Sequence, residues 1–82
     1  MSLMDELKVI LRDTLVLDDD VKQFDANSPL LGALKELDSV GVVSMITALE
    51  DNYDIRMEDD EVSAAVFETL GSLTEFVQQK IG

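Results

Sequence analysis

No cysteine, histidine or tryptophan occurs in these 82 residues. Without cysteine there is no disulfide framework and no thiolate nucleophile, and without histidine the most used general base and metal-binding side chain is gone. Ser39, the serine of greatest interest below, has only Lys35 as a nearby amine, so self-contained nucleophilic catalysis is not expected. Positive charge is also scarce: six Lys plus Arg stand against eighteen Asp plus Glu, a formal net charge of −12. A field of that sign repels phosphate backbones and anionic lipid surfaces and attracts basic protein patches. Nucleic acid and stable membrane insertion are therefore not expected. No apolar run approaches the ~20 residues of a membrane-spanning helix, and the opening Met1-Ser2-Leu3-Met4-Asp5-Glu6 has no basic-then-apolar leader pattern. A cytoplasmic location is the expectation.

What remains is 46% apolar, enough for one small core and too little for a cleft between two domains. A single domain over residues 1–82 is expected, and a monomer. Leu3, Leu7, Ile10, Leu11 and Leu15 recur at helical spacing behind Ser2, with Asp5 in the place of a capping-box Glu, which predicts a helix over 3–15. Periodicity then fails from Leu17 to Asp38, interrupted by Asp18-Asp19-Asp20, Asn27-Ser28-Pro29 and Gly32, with Phe24, Leu30, Leu31 and Leu34 as packing anchors. So long a connection is uncommon in a compact domain unless it has a function. Val42, Ile46, Leu49 and Tyr53 form a stripe that predicts a second helix over 39–53. A short third helix is expected from Asp59 or Asp60 to about Val66. Thr69 then caps a last amphipathic helix carrying Leu70, Leu73, Phe76, Val77 and Ile81. The fold class is all-α: a small four-helix bundle, three longer helices and one short, with a long loop between the first and second.

Leu37-Asp38-Ser39-Val40 stands where that loop ends and the second helix begins. Taken alone, Asp38-Ser39 reads as a helix cap. Ser39 at a helix N-terminus is also where unpaired backbone N–H groups and the positive dipole end favour a phosphate on its oxygen. Val40 lies about 160° from the centre of the apolar stripe, an exposed apolar contact beside the serine. Acids are dense after the helix: Glu50, Asp51, Asp54, Glu58, Asp59, Asp60 and Glu61 surround one base, Arg56. Neither Asp18-Asp19-Asp20 nor Glu58-Asp59-Asp60-Glu61 has the alternation, central Gly and terminal Glu of an EF-hand loop, so no metal site is assigned. Met45 and Met57 read as core fillers.

With these residues in place, the chain resembles an acyl carrier protein. The likeness runs through the first helix, the long loop, Leu37-Asp38-Ser39-Val40, Ala48-Leu49-Glu50-Asp51-Asn52-Tyr53 and Phe67-Glu68-Thr69-Leu70-Gly71-Ser72-Leu73. In that family the serine of an Asp-Ser-Leu or Asp-Ser-Met motif is esterified by a 4′-phosphopantetheine arm taken from coenzyme A. Ser39 is the matching position. Asp38 before it favours the acyl branch over peptidyl carriers, which usually have a glycine-containing stretch there. The resemblance implies a separate phosphopantetheinyl transferase with its own Mg²⁺, and a terminal thiol on the arm that carries acyl groups as thioesters. It further implies acyl-loading and acyl-processing enzymes with basic docking surfaces, met by Val40, Thr47, Glu50, Asp51 and Asp54. Val43, Ile46, Leu49, Ile55, Met57 and Phe67 are the side chains expected around a sheltered acyl tail.

The chain departs from that pattern in one place. Bacterial fatty-acid carriers usually display acids two and five residues after the serine, where this chain has Gly41 and Ser44. Gly41 inside a helix costs roughly 0.5–1 kcal/mol relative to Ala. The expectation is a specialised stand-alone acyl carrier for fatty-acid, lipid or related biosynthesis. A D-alanyl or polyketide-type carrier, or a noncovalent acidic helical interaction module docking through Val40 and Val43, are the alternatives.

Overall fold

The computed structural model describes residues 2–58 and 60–82, and its architecture is helical: α1 (Leu3–Leu15), α2 (Ser39–Tyr53) and α3 (Leu70–Ile81), with a 3-10 helix over Asp19–Gln23. Each α-helix begins at a side-chain cap that gives orphan N–H groups an acceptor. Ser2 accepts from the Asp5 N–H at 3.2 Å, and Asp38 accepts from the Gly41 N–H at 2.9 Å. Thr69 and Ser72 form a reciprocal capping box, each backbone N–H reaching the other's hydroxyl at 3.0 Å. α1 stops where Val16 turns left-handed, at φ 56°, and α2 where Asp54 does, at φ 52°.

Leu7, Leu11 and Leu15 from α1, Met45 and Leu49 from α2, and Leu70, Leu73 and Val77 from α3 make the core, joined by Val21, Leu30, Leu37, Met57, Val66 and Phe67 from the connections. Fully burying one such side chain contributes about 1.5–3 kcal/mol. α1 and α2 run antiparallel. Leu15 lies against Gly41 at one end, and at the other the Tyr53 hydroxyl donates to Glu6 Oε1 at 3.2 Å. That contact, with partial burial and the Glu6 charge, pushes the Tyr53 pKa up to about 12, burial being the largest cause.

Three sequence expectations change in detail. The short helix lies in the first connection, at Asp19–Gln23, where Asp18 caps it by accepting the Asp20 N–H at 3.1 Å. Residues 60–68 form successive turns instead of the helix expected there, and Asp59, one of its two proposed starts, lies outside the described residues. These turns are held by local bonds three residues apart, Glu61 N–H to Glu58 and Val66 N–H to Ser63 both at 3.0 Å, and just beyond the expected helix the Glu68 and Phe67 carbonyls accept from Leu30 and Leu31 N–H, both at 2.9 Å, while Pro29 bridges Thr69. Leu31, expected as a packing anchor, is on the surface, whereas Leu30 beside it is buried.

The buried stripe of α2 is centred on Gly41, Met45 and Leu49, with Val42, Ile46 and Tyr53 half-buried at its margin. The predicted stripe was displaced because it gave Gly41 no packing role. A Cβ at Gly41 would sit 2.4 Å from the Glu36 carbonyl oxygen and 3.2 Å from Leu15 Cδ2. The missing side chain is what lets α2 close onto the end of the loop.

Candidate functional site

Ser39 is the first residue of α2, positioned from three sides. Leu37, two residues before it, is buried and its N–H reaches the Leu34 carbonyl at 3.0 Å. Asp38 is the cap: its carboxylate takes the Gly41 N–H, and its own carbonyl accepts the first helical bond from Val42 at 2.9 Å. Gly41, two residues after the serine, is pressed against Glu36. Ser39 is thus an exposed residue on a fixed backbone, and its hydroxyl takes part in no hydrogen bond among the described residues.

This arrangement fits a phosphodiester-linked arm. The serine oxygen is open to an incoming enzyme, and the Ser39 and Val40 N–H groups have no acceptor of their own among the described residues, at the positive end of a 15-residue helix. The same geometry does not make Ser39 a nucleophile by itself, since among the described residues no base hydrogen-bonds to it. Asp38 faces the helix backbone as its cap.

The exposed side of α2 carries the proposed docking residues. Val40 is 73% exposed, and Thr47, whose hydroxyl donates to the Val43 carbonyl at 3.1 Å, is exposed two turns along. Asp51 and Asp54 are also exposed. Glu50 differs from them: it is half-buried, and its Oε2 accepts the Met57 N–H at 2.9 Å.

Of the six side chains expected around an acyl tail, Leu49, Met57 and Phe67 lie in the core with Ile46 and Ile55 packed against them. Val43 does not join them, because it is 63% exposed on the same side of α2 as Val40. That correction was available from the helical wheel, where Val43 falls about 60° from Val40 and far from the buried stripe. The internal bond of Glu50 had no sequence signal, because its partner is a backbone N–H seven residues away across a turn. No helix among the described residues is long and apolar enough to cross a membrane, and no cluster of potential metal ligands is found among them.

Comparison with known proteins finds relatives over nearly the whole chain. The family model described as "Phosphopantetheine attachment site" matches residues 5–77, a span that includes Ser39. The acyl carrier protein of Sulfurovum sp. (strain NBC37-1) is 34% identical over 79 residues, covering 95% of this chain and 97% of that protein. The solution NMR structure of a holo acyl carrier protein from Nitrosomonas europaea superposes with a TM-score of 0.90 at 47% identity, covering 99% of this chain and 98% of the other.

Proposed function

The chain belongs to the acyl carrier proteins of the phosphopantetheine attachment-site family, and from that premise we propose that Ser39 bears the arm in a specialised acyl-biosynthetic pathway. As a carrier it is acted on by other enzymes and is not itself a catalyst; its cofactor is a covalently attached 4′-phosphopantetheine. When bound, that group supplies the terminal thiol on which acyl cargo travels. The observation that carries the assignment to Ser39 is its exposed, unengaged hydroxyl at the start of α2, with the backbone on both sides held by Leu37, the Asp38 cap and the Gly41 contact.

The chain's own residues then have separable roles. Asp38 fixes the first turn so that the Ser39 oxygen is presented to a phosphopantetheinyl transferase. Val40 and Val43, one turn apart and both exposed, give an apolar strip beside the serine. Thr47, Asp51 and Asp54 continue the same helix toward its acidic end, where they would meet a basic enzyme surface. Ile46, Leu49, Ile55, Met57 and Phe67 supply apolar surroundings for an acyl chain. The reading as a specialised carrier rests on the neutral first half of α2: Gly41 is buried, Ser44 is half-buried, and acids begin only at Glu50.

Intact-mass spectrometry of the protein from its native cell tests this reading. The expected result is the added mass of one phosphopantetheine with an acyl group, absent from Ser39→Ala. An aminoacyl mass would favour the D-alanyl alternative. An unmodified native protein, or a modification that survives Ser39→Ala, would overturn the proposal.

A further inference from the structure

Glu50 lies in the last turn of α2, where the negative end of the helix dipole disfavours an acid. Unlike Asp51 and Asp54, it has an internal donor: Oε2 accepts the Met57 N–H at 2.9 Å across the turn that follows the helix. That turn is otherwise poorly held. Asp54 is left-handed at φ 52°, and among the described residues no other hydrogen bond outside the helices involves the backbone of residues 55–57. Met57 is 6% exposed and belongs to the core, so its N–H enters the protein away from most water. A carboxylate is the strongest acceptor available to it, giving a short charge-assisted bond.

We infer that Glu50 is a positioning residue, whose carboxylate fixes the 55–57 turn and so places Ile55 and Met57 as one wall of the acyl site, while Asp51 and Asp54 are the acids offered to partners. The wall rests on the acyl-site reading proposed above; the hydrogen bond itself does not. A docking acid acts through its charge at long range, and a positioning acceptor acts through a lone pair at one place. Glu50→Gln separates the two, because the amide oxygen keeps an acceptor and removes the charge, whereas Glu50→Ala removes both.

The first readout is amide hydrogen exchange at Met57 in the full-length apo protein. Glu50→Ala should exchange about tenfold faster or more, and Glu50→Gln should stay within about threefold of wild type. The second is modification by a transferase at low salt, in which Asp51→Asn should slow the reaction and Glu50→Gln should not. The inference is overturned if Glu50→Ala leaves Met57 exchange unchanged, if Glu50→Gln exchanges as fast as Glu50→Ala, or if Glu50→Gln slows modification as much as Asp51→Asn. A third readout uses holo protein loaded with an eight-carbon acyl chain. Glu50→Ala should expose the thioester to hydroxylamine, and Glu50→Gln should restore its protection. A protected wild-type thioester that stays equally protected in Glu50→Ala would overturn the positioning role. A wild-type chain that gives no protection relative to a free pantetheine thioester would instead sink the acyl-site reading, with Met57 exchange still deciding the hydrogen bond.

Discussion

Two connections flank α2, and the first is held differently from the first half of the second. The first, residues 16–38, contains its own 3-10 helix and is joined through the backbone to the far side of the molecule. Leu30 and Leu31 donate to the Glu68 and Phe67 carbonyls at 2.9 Å, while Leu70 and Gly71 donate back to Ser28 at 3.0 Å and Ala26 at 2.9 Å. The second connection begins at Asp54, and its first half is tied mainly by side chains. Glu50 takes the Met57 N–H, Arg56 pairs with Glu58 at 2.8 Å, and Lys80 pairs with Glu61. Backbone pairing resists opening as a unit, whereas side-chain ties can be released one at a time. On this ground the first connection, which leads to the serine, should open less readily than the first half of the second.

The largest way to break that contrast is to separate the first connection from its supports. A Cβ at Gly71 would lie 2.6 Å from the Ala26 carbonyl oxygen, and at Gly41 one would lie 2.4 Å from that of Glu36. Both neighbours are backbone atoms and cannot swing aside. Gly71→Ala and Gly41→Ala should each destabilise by about 1–3 kcal/mol, despite the better helix propensity of alanine. Thermal unfolding should register this as a drop of roughly 4–8 °C per kcal/mol for a domain of this size. An unchanged melting temperature in either variant would show that the close approach is not needed.

A smaller effect is expected from the second connection. Lys80→Ala removes the partner of Glu61, and its Nζ also sits 6.0 Å from the centre of the Phe76 ring. The loss should be within about 1 kcal/mol, as for other partly exposed ion pairs. Its signature is local: amide exchange should quicken over residues 60–66 and stay unchanged over 26–31. Equal acceleration in both segments would erase the proposed difference between the connections.

The effect that is smallest at neutral pH concerns the end of α2. Tyr53 is the only tyrosine in the chain, and its folded pKa of about 12 lies above its ordinary value of 10.0. The folded state then holds the proton more tightly than the unfolded state. The resulting stabilisation is complete below pH 10 and is lost as pH rises from 10 toward 12. Titration of the tyrosinate absorption band should show the raised midpoint, and Tyr53→Phe should remove this part of the alkaline destabilisation. A midpoint at the ordinary value would contradict the burial of the phenol together with its Glu6 contact.

The helices were legible because their signals are local. Ser2, Asp38 and Thr69 mark the starts of α1, α2 and α3, and periodic apolar residues give their lengths. The 3-10 helix at Asp19–Gln23 was not legible, since five residues with one buried side chain show no periodicity. The turns at 60–68 are not legible as turns, since they are held by short local bonds and end where the Phe67 and Glu68 carbonyls pair with Leu31 and Leu30, residues far away in sequence. At the site, Val40 followed from its angle on the helix. Val43 is apolar, but its angle on the helix puts it on the exposed side with Val40. Glu50 is indistinguishable from its acidic neighbours in sequence, because nothing in composition separates a carboxylate facing a backbone N–H from one facing water.

Gly41 also limits how interchangeable this carrier can be. Exchanging carriers between pathways by rewriting their surface charge assumes that every position on the second helix is free to vary. Position 41 is not, because any side chain there meets the Glu36 carbonyl before it meets a partner. An acid two residues beyond the serine would require the end of the preceding loop to be rebuilt, whereas Ser44 could be altered on the existing backbone. The compatibility of this carrier with other enzyme sets is thus partly fixed by its main chain, and retargeting it is a loop-design problem before it is an electrostatic one.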